Sequence, residues 1–288
     1  MRLFIALAAL TFFFTSDAFS QAADPRKPQA KRSPILIGPV AGYNKSMHSG
    51  GFSSIAADAS CPTFETGTDN GYYFGFSLEY LLGDPKNATS SIIARAVYDY
   101  QPASFQLDGD NFPSRNAAGE VFNSQVLHTS VFKYSLLNFE VMYRFNLPGT
   151  MLGITAGPQF GIPMGGTQEQ RFELQFDPNK PVQFDKETEG PGSLILKPDP
   201  TDPVVGLNGY KPQYVDETRT SIRLYEGDII DPSSFRFALK FGLQYEILAG
   251  NLLFVPSVYY NLGLTKISNV NNSTVSALQI GADLRFAL

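Results

Sequence analysis

With two histidines and one cysteine in 288 residues, nucleophilic or metal chemistry has few places to sit. His128 and Ser130, two residues apart, share a face if their segment is extended; a carboxylate such as Glu140 would complete a nucleophile, a base and its orienting acid. That spacing is common by chance and Thr129 between them adds nothing specific, so two polar side chains in a strand is the simpler reading. His48 lies in the first long link without an acid or cysteine at metal-ligand spacing. Asp108-Gly109-Asp110-Asn111 starts like a calcium loop but lacks its later ligands, and a plain turn is expected. Cys61 is a lone loop thiol, Gly165-Gly166 a loop hinge, and neither a cofactor nor a metal is expected.

The remaining chemistry is ionic. When the chain is laid out with period two, its polar faces carry Arg95, Arg144, Arg236, Lys240 and Arg285 together with Glu79, Asp99, Glu140, Glu246 and Asp283, five cations against five anions. Inside a barrel just wide enough for side chains, a balanced set forms an ion-paired plug. A selective pore calls instead for a surplus of one sign or rings of like charge.

The elements that position these charges are one-sided strands. Residues 278–288 set Leu278, Ile280, Ala282, Leu284, Phe286 and Leu288 against Gln279, Gly281, Asp283 and Arg285. Residues 235–247, 137–147 and 72–82 repeat the design, and weaker versions lie near 35–45, 90–101, 151–162 and 252–264, giving eight strands. The links after the second, fourth and sixth strands are short, whereas those near 46–70, 102–125 and 164–232 are long and that at 266–273 is moderate. Such alternation is that of an up-and-down transmembrane barrel, with short periplasmic turns and long external loops. A soluble lipocalin-like barrel alternates too, but its polar face would be dense in Lys and Glu. Here that face is rich in Gly, Ser, Asn and Gln, and Tyr72, Tyr80, Tyr98, Tyr143 and Tyr260 gather toward strand ends, where an interfacial girdle belongs. Pro39, Pro158 and Pro256 fall inside the proposed strands and are expected at bulges or above the bilayer.

Composition agrees. Charged residues are 17%, below the roughly 25% of soluble domains, aromatic residues are 13% and tryptophan is absent. Residues 1–22 read as a signal peptide, with Arg2, an apolar stretch from Leu3 to Phe14, and Ser20-Gln21-Ala22 at the cleavage site. Residues 23–33 form a solvated basic leader and 34–288 the barrel; no lipid-anchoring cysteine follows the signal and no wall-binding domain is expected beyond Leu288. A net charge of -5 does not invite nucleic acid.

The segments LNFEVMYRFNLPG (137–149), FALKFGLQYEI (237–247), LLFVPSVYYNLGLTKI (252–267) and LQIGADLRFAL (278–288) resemble the PorT-like outer-membrane β-barrel family of Bacteroidota-type bacteria. The resemblance implies an eight-stranded barrel in a Gram-negative outer membrane without a defined activity; one founding member is linked to protein secretion, and the 164–232 insertion departs from the compact pattern. The His128, Ser130 and Glu140 set is also similar to that of eight-stranded lipid A deacylases, in which these residues face lipid, whereas Ser130 here has the parity of the lumen residues Asn138 and Glu140. The expected function is therefore non-catalytic: a monomer embedded in outer-membrane lipid that contacts an envelope or extracellular protein through 164–232. Within that link, 171–176 and 221–225 alternate like strands and are expected to pair as a ribbon continuing the fifth and sixth strands. A small solute or ion pore and a lipid A-modifying enzyme are the alternatives.

Overall fold

The computed structural model describes residues 33–53, 63–85, 87–177, 179–184, 213–215, 217–249, 252–269 and 273–288. The expected signal peptide, all of the leader but Ser33, and Cys61 lie outside them. Every regular element among the described residues is a strand: β1 (Ile35–Ser53), β2 (Thr63–Leu82), β3 (Ser90–Tyr100), β4 (Ala103–Asn116), β5 (Val121–Asn146), β6 (Leu152–Leu174), β7 (Val182–Phe184), β8 (Gln213–Tyr214), β9 (Ser221–Asp228), β10 (Arg236–Tyr245), β11 (Ile247–Ala249), β12 (Leu252–Gly263) and β13 (Thr274–Ala287).

Eight of them close a ring. Antiparallel ladders join β1 to β2, β2 to β3, β3 to β5, β5 to β6, β6 to β10, β10 to β12, β12 to β13 and β13 back to β1. Closure leaves no unpaired edge at bilayer height, which is what lets a sheet span lipid. The apolar outward side chains form a continuous band: Ile37 to Tyr43, Tyr72 to Tyr80, Ile92 to Tyr100, Leu137 to Phe145, Ile154 to Met164, Phe235 to Tyr245, Phe254 to Leu264 and Leu278 to Leu288. Seven of the eight stretches have the roughly 9–11 residues a tilted spanning strand needs, and that of β1 is shorter. Tyr43 pairs with Tyr72 and Tyr72 with Tyr100 at its upper edge. At the lower edge Ile92 sits between Tyr80 and Tyr143.

Above the band the wall continues, so much of the links expected near 46–70 and 102–125, and part of that at 164–232, is strand. β1 runs to Ser53 and β2 starts at Thr63, which places His48 in β1 instead of a loop. β4 prolongs β3 and stays paired with β5 up to a short turn at 117–120. The expected ribbon is present, with Arg171 opposite Arg223 and Phe172 opposite Ile222 in the β6–β9 ladder. β7 adds to β4, β8 adds to β9, and the Phe184 N–H donates to the Arg219 carbonyl at 2.9 Å, curling the top of the wall on itself. These segments are strands because their inward residues find apolar partners: Phe64, Phe105, Phe132, Tyr134, Leu136 and Ile229 in one cluster, and Val126, Phe172, Leu174, Val182, Phe184 and Ile222 in a higher one.

Local irregularities differ from expectation. Asp108 to Asn111 is a β-bulge inside the β4–β5 ladder and not a turn. Gly165 is likewise a bulge and not a loop hinge: it takes φ +146°, the β5–β6 register shifts there, and the inward set of β6 changes from odd residues (Thr155, Gln159) to even ones (Gln170, Phe172). Conversely, the three prolines are neither bulged nor above the bilayer. Ile37–Phe286 and Val40–Asp283 keep one register across Pro39, as do the pairs flanking Pro158 and Pro256. A proline lacks its donor toward one neighbour only, and at each site the other ladder remains intact, through Phe76, Leu239 and Ala282 respectively.

Candidate functional site

All ten of the charged residues read from the sequence are buried within the ring. Eight join in one continuous chain of ion pairs. Glu246 meets Arg144 at 2.7 Å, Arg144 meets Glu79 at 3.1 Å, and Glu79 meets Arg285. Arg285 holds Asp283, which receives Arg95 at 2.9 Å; Arg95 stands 3.7 Å from Glu140, and Lys240 closes the chain on Glu140 at 2.6 Å. Taking these groups out of water is expensive, and mutual pairing is what makes it tolerable.

Asp99 and Arg236 are joined differently, through neutral side chains. The Asp99 carboxylate accepts from four amides: Asn44 at 2.7 Å, Gln101 at 2.7 Å, Asn138 at 3.1 Å and Gln279 at 3.0 Å. Gln101 turns its oxygen to Arg236 Nη1 at 2.9 Å, and so couples the acid to the base. The expectation of direct pairing among all ten thus gives way to an amide bridge at the top of the lumen.

Two tyrosines fill the space between the charges. Arg95 lies 4.9 Å from the Tyr259 ring centroid and donates to its hydroxyl at 2.6 Å, while Lys240 stands 4.7 Å from that ring and 5.6 Å from Tyr73. Cations over aromatic faces are stabilised further when dry. The rings fit because glycine faces them: a Cβ at Gly281 or Gly42 would collide with Tyr73, and one at Gly242 with Tyr259. The sequence marks Tyr73 as a member of a polar face, but gives neither tyrosine nor Gln101 a signal that it belongs with the charges.

Directly above the plug, His48 is buried and donates from Nε2 to the Gln101 carbonyl at 3.1 Å, its ring against Phe105 and Phe132. Burial pulls its pKa down to about 3; the bond to Gln101 opposes this and the charge of Arg236 adds to it. It is a neutral core histidine.

His128 and Ser130 are both buried and point inward from upper β5. The structure does not bring Glu140 to them. Twelve residues of one continuous strand separate His128 from Glu140, on the order of 40 Å, and Glu140 is occupied by Lys240 and Arg95. His128 packs instead against Phe172, ring centroids 3.9 Å apart, and beneath Gly109. Among the described residues, no cluster of three or more His, Cys, Asp or Glu is placed to hold a metal ion.

No protein-family model matches the chain, and no curated protein matches it. Among solved structures, Neisserial surface protein A aligns at 10% identity over 89% of this chain and 98% of its own, with a TM-score of 0.32. Ail, the attachment invasion locus protein of Yersinia pestis, aligns at 12% identity over 87% and 98%, with a TM-score of 0.33. The outer membrane protein OprG from Pseudomonas aeruginosa aligns at 12% identity over 91% and 100%, with a TM-score of 0.30. The barrel assignment rests on this chain's own pairing: a closed antiparallel ring of eight strands, apolar outside and charged within, is an integral membrane β-barrel of the outer-membrane type.

Proposed function

We propose that this protein is a monomeric, non-catalytic outer-membrane barrel, exported by its signal peptide, that holds a folded upper storey outside the cell for contact with an envelope or extracellular protein. The observation that carries the reading is the second apolar core, built by β4, β5, β6, β7 and β9 well above the lipid band. A chain that only had to seal a barrel has no use for it. The sealed lumen supports a structural role over a pore, and the separation of Glu140 from His128 and Ser130 supports it over hydrolysis. Likeness of β5, β10, β12 and β13 to PorT-like barrels favours the same assignment, and we extend the secretion link of that family no further.

Replacing residues 178–217 by a short Gly-Ser turn tests the proposal. The variant is expected to insert and to stay heat-modifiable, since each wall strand keeps its lipid-facing set, but to lose partner cross-links on intact cells. If every cross-link and envelope phenotype survives, the contact role is wrong. The parent should be silent in planar bilayers, and steady single-channel conductance would refute the sealed lumen.

A further inference from the structure

The lysines of this chain are sorted by height. Five lie among the described residues: Lys240 is in the lumen, Lys180 precedes β7 at the top, and Lys45, Lys133 and Lys266 stand at the upper edge of the lipid band. Each of these three is exposed and keeps the outward parity of the apolar residues below it. Lys45 comes two residues after Tyr43, Lys266 two after Leu264, and Lys133 four before Leu137 on a descending strand. None of them has a carboxylate partner, for the one lysine ion pair among the described residues is that of Lys240 with Glu140. An unpaired ammonium on a flexible stem at this height can rise or sink to meet an anionic headgroup.

Lys45 has the fullest surroundings. It lies opposite Asn70 of β2 and Leu278 of β13. Beneath it Tyr43, Tyr72 and Tyr100 stand side by side on three strands, Tyr43 being 47% and Tyr72 50% exposed. The Tyr72 ring lies 5.4 Å from that of Tyr100 and 6.3 Å from that of Tyr98, so the aromatic faces form one plate. Asp69, the acid beside Asn70, accepts from the Asn70 N–H at 2.7 Å. A sugar ring presents C–H bonds on its faces and hydroxyls on its edge, and both suit rings with phenol tips. A phosphate on that sugar meets Lys45 in a charge-assisted bond, stronger than a neutral one.

We propose that this edge binds phosphorylated glycolipid of the outer leaflet, of the lipid A class. One headgroup sugar lies against Tyr43 and Tyr72 with its phosphate on Lys45, and Lys133 and Lys266 take phosphates elsewhere on the circumference. The acyl chains run down past the exposed Phe74 and Phe76. The proposal rests on the reading of the chain as an outer-membrane barrel with its upper edge outward, and it is independent of any partner of the upper storey.

Native mass spectrometry of the full chain in detergent micelles provides the test. The probes are lipid A, the same lipid stripped of both phosphates, and phosphatidylglycerol. Lipid A should bind about fivefold more tightly than the stripped form at a site with one lysine. Lys45→Gln should lower that preference, and Lys45→Gln with Lys133→Gln and Lys266→Gln should erase it, while arginine at the same three positions keeps it. Tyr72→Ala should weaken both forms of the glycolipid alike. Heat-modifiable migration confirms that each variant is folded. Equal binding of lipid A and its stripped form, or a preference that survives the triple glutamine variant, overturns the proposal. Phosphatidylglycerol binding as tightly as lipid A overturns it too, since charge alone would then suffice. The wider reading fails separately: a chain that enters vesicles of no composition sinks the membrane assignment, whereas an inserted barrel indifferent to phosphate sinks this inference alone.

Discussion

At bilayer height the inner face of β5 carries Asn138, Glu140, Met142 and Arg144, and its outer face Phe139, Val141 and Tyr143; a few residues higher the inner face is Phe132, Tyr134 and Leu136 and the outer face is mixed, with Thr129, Val131, Lys133 and Ser135. The strand does not turn over, for even residues point inward throughout. What changes is the surrounding medium. Within the band the outside is hydrocarbon, so the polar groups go inside and pair; above it the outside is water, and the interior reverts to an ordinary apolar core. One strand therefore obeys two opposite rules on either side of Leu136, and the change of side-chain chemistry there marks where lipid ends.

The most drastic way to break this comparison is to alter parity in the upper storey alone. Deleting Gly165 removes the bulge that resets β6, so Phe172 and Leu174 would turn outward and Glu169 and Arg171 inward. Loss of two large core side chains and burial of two charges predicts a cost on the order of 5 kcal/mol or more. Limited proteolysis should then cut β6 to β9 readily while the belt strands stay protected. Protection of both storeys would mean that the bulge does not separate them.

A smaller effect sharpens the boundary. Phe241→Arg, on the lipid face, should cost about 2–4 kcal/mol of folding free energy in vesicles if it lies near the midplane. Thr129→Arg, equally outward but above the band, should change it by no more than about 0.5 kcal/mol. Equal penalties at the two sites would place lipid against upper β5. A separate effect is that of pH. His48 is held neutral with a pKa of about 3, whereas the unfolded residue titrates near 6.5. The unfolded chain therefore binds more protons between these values, and the contribution of this site to stability is lost as pH falls from about 6.5 toward 3, by up to a few kcal/mol. His48→Gln should flatten part of that slope in denaturant titrations of the vesicle-inserted protein; an unchanged slope would assign it to other groups.

The belt strands were legible because lipid demands an uninterrupted apolar face, and period two from Leu278 to Leu288 or Phe235 to Ile247 shows it directly. All ten lumen charges followed from the same parity. Upper β5 was less visible: His128 and Ser130 break the apolar series that Val126 and Phe132 belong to, and the outer residues there are as mixed as those of any solvated strand. The bulge at Gly165 conceals the ribbon similarly, since it shifts the phase of the pattern within β6. Gln101 was missed because an amide at a strand junction carries no periodic signal, and Tyr259 because a lumen tyrosine and a girdle tyrosine are the same letter.

The amides around Asp99 bear on the order of assembly. They come from β1, from β5, from β13 and from the junction of β3 with β4, and the contact between Gln279 and Asp99 spans 180 residues. Arg285 reaches Glu79 across 206. Gln101, Asn138 and Asn44 can reach Asp99 once β1, β2, β3 and β5 have assembled, but the bonds from Gln279 and Arg285 cannot exist in a half-built sheet, because the last strand must meet the first before they form. Until then Asp99 and Glu79 lack these donors, and loop-closure entropy goes unrewarded. The lumen thus acts as a checkpoint on ring closure, one that disfavours any inserted barrel with a strand missing or out of register.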